Sequence, residues 1–161
     1  MAEASLVGAV PTGLFINNEF VPATDNKTIA LENPATGQHL ATVSAAQAAD
    51  VELAVQAASS AYDSNWRSAK PQVRRALLNR LADLIERDGK QLASIEALDA
   101  GMLYRMSMGL SVPQAAETLR YYAGWVGKVE GQTLDIDEGM AYTRREPIGV
   151  VAAIVPWNAP L

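Results

Sequence analysis

With 161 residues and an apolar fraction of 49%, the chain is long and apolar enough to bury a real core. Its net charge of −5 argues against a phosphate-backbone binder, and no apolar run reaches the roughly 20 residues of a membrane helix, so neither nucleic acid nor membrane is an expected partner. The chain has no cysteine and a single histidine, His39, which removes disulfides, thiolate nucleophiles, thiolate metal sites and the two-histidine zinc motif; no metal ligands are expected.

The first 13 residues are small, apolar and punctuated by Gly and Pro, and read as a loose arm. They have no basic n-region, so a secretory signal is not expected and the cytoplasm is the expected compartment. Leu14-Phe-Ile-Asn-Asn-Glu-Phe-Val21 reads as a hairpin, because Asn17-Asn18 can supply the positive φ of a tight turn. A second strand is expected over 27–32, a turn at Asn33-Pro-Ala-Thr-Gly37, and a third strand over 39–43. His39 enters that strand and reads as a surface or edge residue. Strands this short need helices to lean on.

Ser44-x-x-Gln47 has capping-box spacing, with Asp50 as a second possible cap. Val51, Val55, Ala58 and Tyr62 then recur at helical spacing, until Tyr62-Asp-Ser-Asn-Trp66 breaks the helix. A second helix is expected from Pro71, with Val73, Leu77, Leu81, Leu84 and Ile85 on its apolar face and Arg74, Arg75, Arg80, Glu86 and Arg87 opposite. Gly89 stops or bends it, the pattern resumes over 92–98, and Gly101 closes it. A third helical block over 110–129 opens near Pro113, and its Leu119, Tyr121, Tyr122, Trp125 and Val126 read as core.

Residues 131–137 and 140–145 alternate around Glu138-Gly139 and read as a β-hairpin. The apolar run 148–155 follows, β-branched and without polar alternation, as a strand buried on both faces of a parallel sheet reads. Pro156 ends it, which sets Trp157 and Asn158 at the carboxyl edge where open α/β sheets bind ligands. A parallel strand needs a crossover and a partner. A bare apolar edge is an aggregation hazard, so an incomplete enzyme or a chain docked on another is expected. Neither a GxGxxG fingerprint nor a Walker A loop occurs, and the acidic pairs Asp135/Asp137 and Asp137/Glu138 read as a solvated turn.

Taken together, the segments resemble a known family. Pro147-Ile-Gly-Val-Val-Ala-Ala-Ile-Val-Pro-Trp-Asn-Ala-Pro-Leu161 resembles the PxGVxxxIxPWNxPL segment of the NAD(P)-dependent aldehyde dehydrogenase superfamily. The hairpin at 14–21 and Asn33-Pro-Ala-Thr-Gly37 resemble its N-terminal hairpin and NPxTG turn. Leu77-Leu-Asn-Arg-Leu-Ala-Asp-Leu-Ile-Glu-Arg-Asp88, Arg120-Tyr-Tyr-Ala-Gly-Trp125 and Tyr142-Thr-Arg-Arg-Glu-Pro-Ile-Gly149 resemble later segments in the same order. The similarity covers residues 14–161. Two departures stand out: Asp99-Ala-Gly-Met-Leu103 lacks the Lys and Pro of the DxGKP segment, and Ala159 replaces a common Phe.

The resemblance implies an α/β fold, here the N-terminal part of the aldehyde dehydrogenase fold: short β elements, a helical layer, a β-hairpin and the first strand of a Rossmann-like sheet. By the same likeness, residues 1–128 belong to the NAD(P)-binding domain, 129–147 to an oligomerisation hairpin that packs on a partner subunit, and 148–161 to the first strand and its PWN loop. The family's reaction is the NAD(P)+-dependent oxidation of an aldehyde to a carboxylic acid, through a cysteine nucleophile and a glutamate-activated water. Within it, Asn158 takes the role of oxyanion donor, and Ile154, Val155, Pro156 and Trp157 line the site of NAD or NADP. The nucleophile and the general base are not in these residues. The chain is therefore expected to be a truncated, inactive relative; the alternatives are a non-catalytic partner of full-length subunits or an inert gene product.

Overall fold

A computed structural model describes residues 10–161; the expected arm over residues 1–13 falls mostly outside it. Strands β1 (Leu14–Ile16) and β2 (Glu19–Val21) form the first hairpin, with Leu14 opposite Val21 and Ile16 opposite Glu19. Asn17 and Asn18 have φ of 51° and 64°, the left-handed pair that a two-residue hairpin turn requires. Phe15 and Phe20 face each other across it, ring centroids 4.8 Å apart.

Strands β3 (Thr28–Glu32) and β4 (His39–Ser44) pair antiparallel, with a register shift between Leu31 and Glu32. The turn between them is built by Asn33, whose Oδ1 accepts the Ala35 N–H (2.9 Å) and whose carbonyl accepts the Gly37 N–H (2.8 Å). His39 is exposed on β4, its Nε2 2.9 Å from Thr42 Oγ1, in keeping with an edge residue.

Helix α1 (Ala48–Ala61) is capped by Gln47 and not by Ser44. Asp50, in the first turn, reaches back so that Oδ2 accepts the Gln47 N–H (2.8 Å), while Oδ1 accepts Thr24 N–H (2.9 Å) and Thr24 Oγ1–H (2.5 Å). One buried carboxylate thus closes a helix start and ties it to the loop after β2. Those three donors, the Thr24 hydroxyl foremost, hold the Asp50 carboxyl below the ordinary carboxylate range. The helix does not break at Tyr62 as its sequence suggested. It widens into a π-helical turn, Tyr62–Trp66, before the chain turns away.

Helix α2 (Pro71–Arg87) starts with Pro71 inside its first turn and hands over at Asp88 to α3 (Gly89–Asp99). A short helix, α4 (Tyr104–Met106), runs through a π-helical turn, Ser107–Ser111, into α5 (Val112–Trp125). The most extensive helix pairing is α2 on α5. Ala82, Ala116 and Ala123 are buried there, and residues this small let two helices approach closely. Gly89 serves the same end: a Cβ on it would lie 2.9 Å from Val112 Cγ1. Arg120 ties the rim of this pairing, donating to Glu86 (2.6 and 2.7 Å) and Asp83 (2.8 Å).

Two expected faces are corrected by this packing. On α2 Ala82 is buried and Leu78, Leu84 and Ile85 are half-buried; Val73, Leu77 and Leu81 stay 49%, 51% and 47% exposed. On α5 the aromatic stripe is not core. Tyr121, Tyr122 and Trp125 are exposed, with Tyr121 meeting Tyr122 edge-on and Trp125 at a tilt, because the face toward α2 carries the alanines instead. Val51 and Val55 on α1 are exposed too.

Beneath α3, Ser107 donates its hydroxyl hydrogen to Glu96 Oε2; both residues are buried, and Glu96 Oε1 has no partner among the described residues. Strands β5 (Thr133–Asp135) and β6 (Met140–Tyr142) then form the expected hairpin, extended by Thr143 N–H donating to the Gln132 carbonyl (2.8 Å). Gly131 opens it in contact with the facing backbone: a Cβ there would fall 1.8 Å from the Thr143 carbonyl oxygen. Among the described residues no helix is long and apolar enough to cross a membrane.

Candidate active-site segment

Residues 147–161 carry every site residue read from the sequence. The expectation that 148–155 forms a strand buried on both faces does not match the structure. Among the described residues the run pairs with no strand, and all its residues are exposed, Ile154 completely. The reason is the one that governs any parallel strand: its hydrogen bonds and its two covered faces come from neighbours that the three hairpins do not provide. Gly149, with φ of 99°, bends the start of the run in a conformation open to glycine.

Beyond Pro156 the chain turns at Trp157 and Asn158, both exposed, Trp157 to 85%. It then returns to the helical layer. Ala159, Pro160 and Leu161 line a groove of about 630 Å³, a volume suited to a small organic ligand. Its opposite wall is Met102, Met106, Leu110, Gln114 and Thr118. The Trp157-Asn158 turn immediately precedes these lining residues in the chain, and neither Trp157 nor Asn158 itself lines the largely apolar groove. Ile154 and Val155 lie apart from that groove, on the exposed run.

Residues 106, 110, 114 and 118 of this wall recur every four positions from α4 through the π-helical turn into α5, and Met102 joins them from the non-helical stretch before α4. The interruption read at Gly101 is real, since α3 ends at Asp99 and Gly101 has φ of 70°, and Pro113 lies in the first turn of α5 where a helix was expected to open. Among the described residues no group of three or more His, Asp or Glu gathers to hold a metal ion.

The Aldehyde dehydrogenase family profile matches residues 20–161, most of the chain. The chain belongs to the aldehyde dehydrogenase family. It is 47% identical to an aldehyde dehydrogenase of Alternaria alternata, over 94% of this chain and 31% of that one. Among solved structures, PnpE of Pseudomonas sp. WBC-3 in complex with nicotinamide adenine dinucleotide superposes with a TM-score of 0.89 at 42% identity, covering 94% of this chain and 31% of that chain. The NAD+ complex of aldehyde dehydrogenase from Bacillus cereus superposes at 0.83 and 41% identity, covering 89% of this chain and 30% of that chain. The fold is the N-terminal part of the aldehyde dehydrogenase fold, and the chain spans about a third of the length of the relatives it matches. The family profile runs through the terminal segment, so the family resemblance of 147–161 is part of one match over residues 20–161.

Proposed function

We propose that this chain carries the oxyanion donor and one cofactor wall of an NAD(P)+-dependent aldehyde oxidation, and that the 161 residues do not catalyse it by themselves. The observation that supports the reading is the place of Asn158, in an exposed turn directly before residues 159–161, which line the groove against α5. A carbonyl carbon attacked at that end of the groove would develop negative charge on its oxygen. The Asn158 side-chain amide suits that oxygen: its N–H donates, it is neutral, and it has no acidic proton to surrender. The groove would take the remainder of the aldehyde against Met102, Met106 and Leu110.

NAD or NADP, when bound, supplies the hydride acceptor. The exposed side chains of Ile154, Val155, Pro156 and Trp157 fit that group as a single apolar wall against which a ring could lie, and no more than a wall. With no cysteine in the chain, a thiolate nucleophile would have to come from other residues. We further propose that residues 1–128 with 148–161 act as cofactor-domain elements and 129–147 as an oligomerisation hairpin. The exposed β5–β6 hairpin, with Met140 and Tyr142 outward, supports that use. The cytoplasm is the compartment proposed, since a chain without cysteine gains nothing from an oxidising one.

Two assays test this. The purified chain with NAD+ or NADP+ and a panel of aldehydes should form no NADH or NADPH; turnover that survives thiol alkylation would overturn the reading. The second assay uses a chimera in which this chain replaces the matching third of the Bacillus cereus relative. There Asn158→Ala should lower kcat by roughly 10²–10³-fold with little change in KM. An unchanged kcat would remove Asn158 from the site.

A second reading, a non-catalytic partner of longer family subunits, is favoured by the same outward hairpin. It requires that the chain co-purify with such a subunit through residues 129–147, and loss of that capture on Gly131→Ala would support it.

A further inference from the structure

Ser107 and Glu96 form a buried polar pair between two helical segments. The Ser107 hydroxyl donates to Glu96 Oε2 on α3, while Glu96 Oε1 has no partner among the described residues. A carboxylate in such a place costs free energy, and an apolar pair of the same shape would not carry that cost. The pair is therefore weak evidence for stability and points to a task of orientation. The task follows from its position. Ser107 opens the π-helical turn Ser107–Ser111, and turns of this kind are rare and gather at functional sites. A serine inside a helix commonly bonds back to its own backbone; this one reaches across to α3 instead. At the other end of the turn Ser111 Oγ donates to Met102 Sδ at 3.7 Å, and Ser111 and Met102 both line the groove.

The turn also sets the line of the groove wall. In an α-helix four residues overshoot a full turn by about 40°, so residues four apart drift steadily round the surface. The turn at 107–111 is wider: the Val112 N–H donates to the Ser107 carbonyl, five residues back, and each residue rotates less. Between Met106 and Leu110 this takes the drift back, and Met106, Leu110, Gln114 and Thr118 all reach the groove. Met108, within the same turn, lies toward α3 instead, 3.8 Å from where a Cβ on Gly89 would stand. We propose that Glu96 and Ser107 are positioning residues for this groove. Their hydrogen bond holds the wide turn in register, and so keeps Met106 and Leu110 in line with Gln114 as a wall for the alkyl part of an aldehyde. The proposal rests on the reading of the groove as the seat of the aldehyde.

The test uses the full 161-residue chain with hexanal as the probe. The methyl signals of Met102 and Met106 are followed by NMR, with Met140 on the β5–β6 hairpin as an internal control. In the wild type both groove signals should move saturably with hexanal while Met140 stays still. Glu96→Met combined with Ser107→Ala replaces the pair by apolar groups of similar shape, so circular dichroism should show the same helix content. That variant should bind hexanal at least fivefold more weakly and should displace the Met106 signal before any hexanal is added. Glu96→Gln keeps an oxygen that accepts from Ser107, and should bind within twofold of wild type. Where the double variant does not fold, Ser107→Ala alone should show the same loss against Glu96→Gln. Equal hexanal affinity with and without the bond would overturn the positioning role and leave the groove reading intact. A loss in Glu96→Gln as large as in the double variant would overturn it too, since the bond would not then be what matters. No response of Met102 and Met106 in the wild type would overturn the groove reading, and this proposal with it.

Discussion

Ala116 on α5 and Ile154 in the terminal run are both apolar, and the structure treats them in opposite ways. Ala116 is fully buried against α2; Ile154 is fully exposed. The helical layer is closed because α2, α3 and α5 supply one another's missing faces from nearby sequence. The segment 148–155 is open because a parallel strand draws its neighbours from elsewhere in a fold, and the hairpins beside it pair only with themselves. Apolar composition alone does not bury a residue. It records a demand for contact, which the layer meets internally and the terminal run does not.

That contrast predicts where substitutions hurt. The largest effect is expected from Ala116→Phe, which forces a ring between α2 and α5; it should cost about 3 kcal/mol in urea unfolding. Ser107→Ala comes next. It leaves both Glu96 carboxylate oxygens without a partner among the described residues and should cost about 1–2 kcal/mol, while a Glu96→Gln, Ser107→Ala pair should recover part of it. Asp50→Asn should lower Tm by roughly 2–4 °C at neutral pH. The sign of its pH dependence follows from the lowered pKa of Asp50 in the folded chain. Its contribution is complete above the unfolded carboxylate value of roughly 3.9 and is lost as pH falls through the lower folded value, so wild type and Asp50→Asn should converge in acid. At the other end of the scale, Val151→Asp should leave the free chain's stability within about 0.5 kcal/mol, since it removes no packing. A large loss there would erase the distinction between the two regions.

Local chemistry is what the sequence displayed well. Asn17-Asn18 announced a turn of positive φ, Pro71 and Gly89 marked helix limits, and Glu138-Gly139 marked a hairpin, because each of these is decided within a few residues. Burial was less legible. The spacing of Val73, Leu77 and Leu81 is sound amphipathic spacing, yet α5 packs on the neighbouring stripe; a periodicity finds apolar faces but not which one a partner occupies. The aromatic residues of α5 misled for the same reason. In the terminal segment the motif was readable and the family follows from it, but the strand was not realised, because a parallel strand is a property of several segments at once. Gly101 does end α3 and Pro113 does lie in the first turn of α5, as the sequence indicates, but the groove lined by 159–161 joins segments distant in the chain, which no local pattern displays.

The central claim is that 148–155 has no pairing partner among the described residues while the facing sides of α2 and α5 cover each other, and amide hydrogen exchange reads both at once. In the free chain, amides over 149–155 should exchange at nearly the rate of an unstructured peptide, while those over 78–86 and 116–123 should be protected by a factor of 10² or more. Protection of 149–155 equal to that of the helices would contradict the account, because it would mean that this chain already pairs its terminal run.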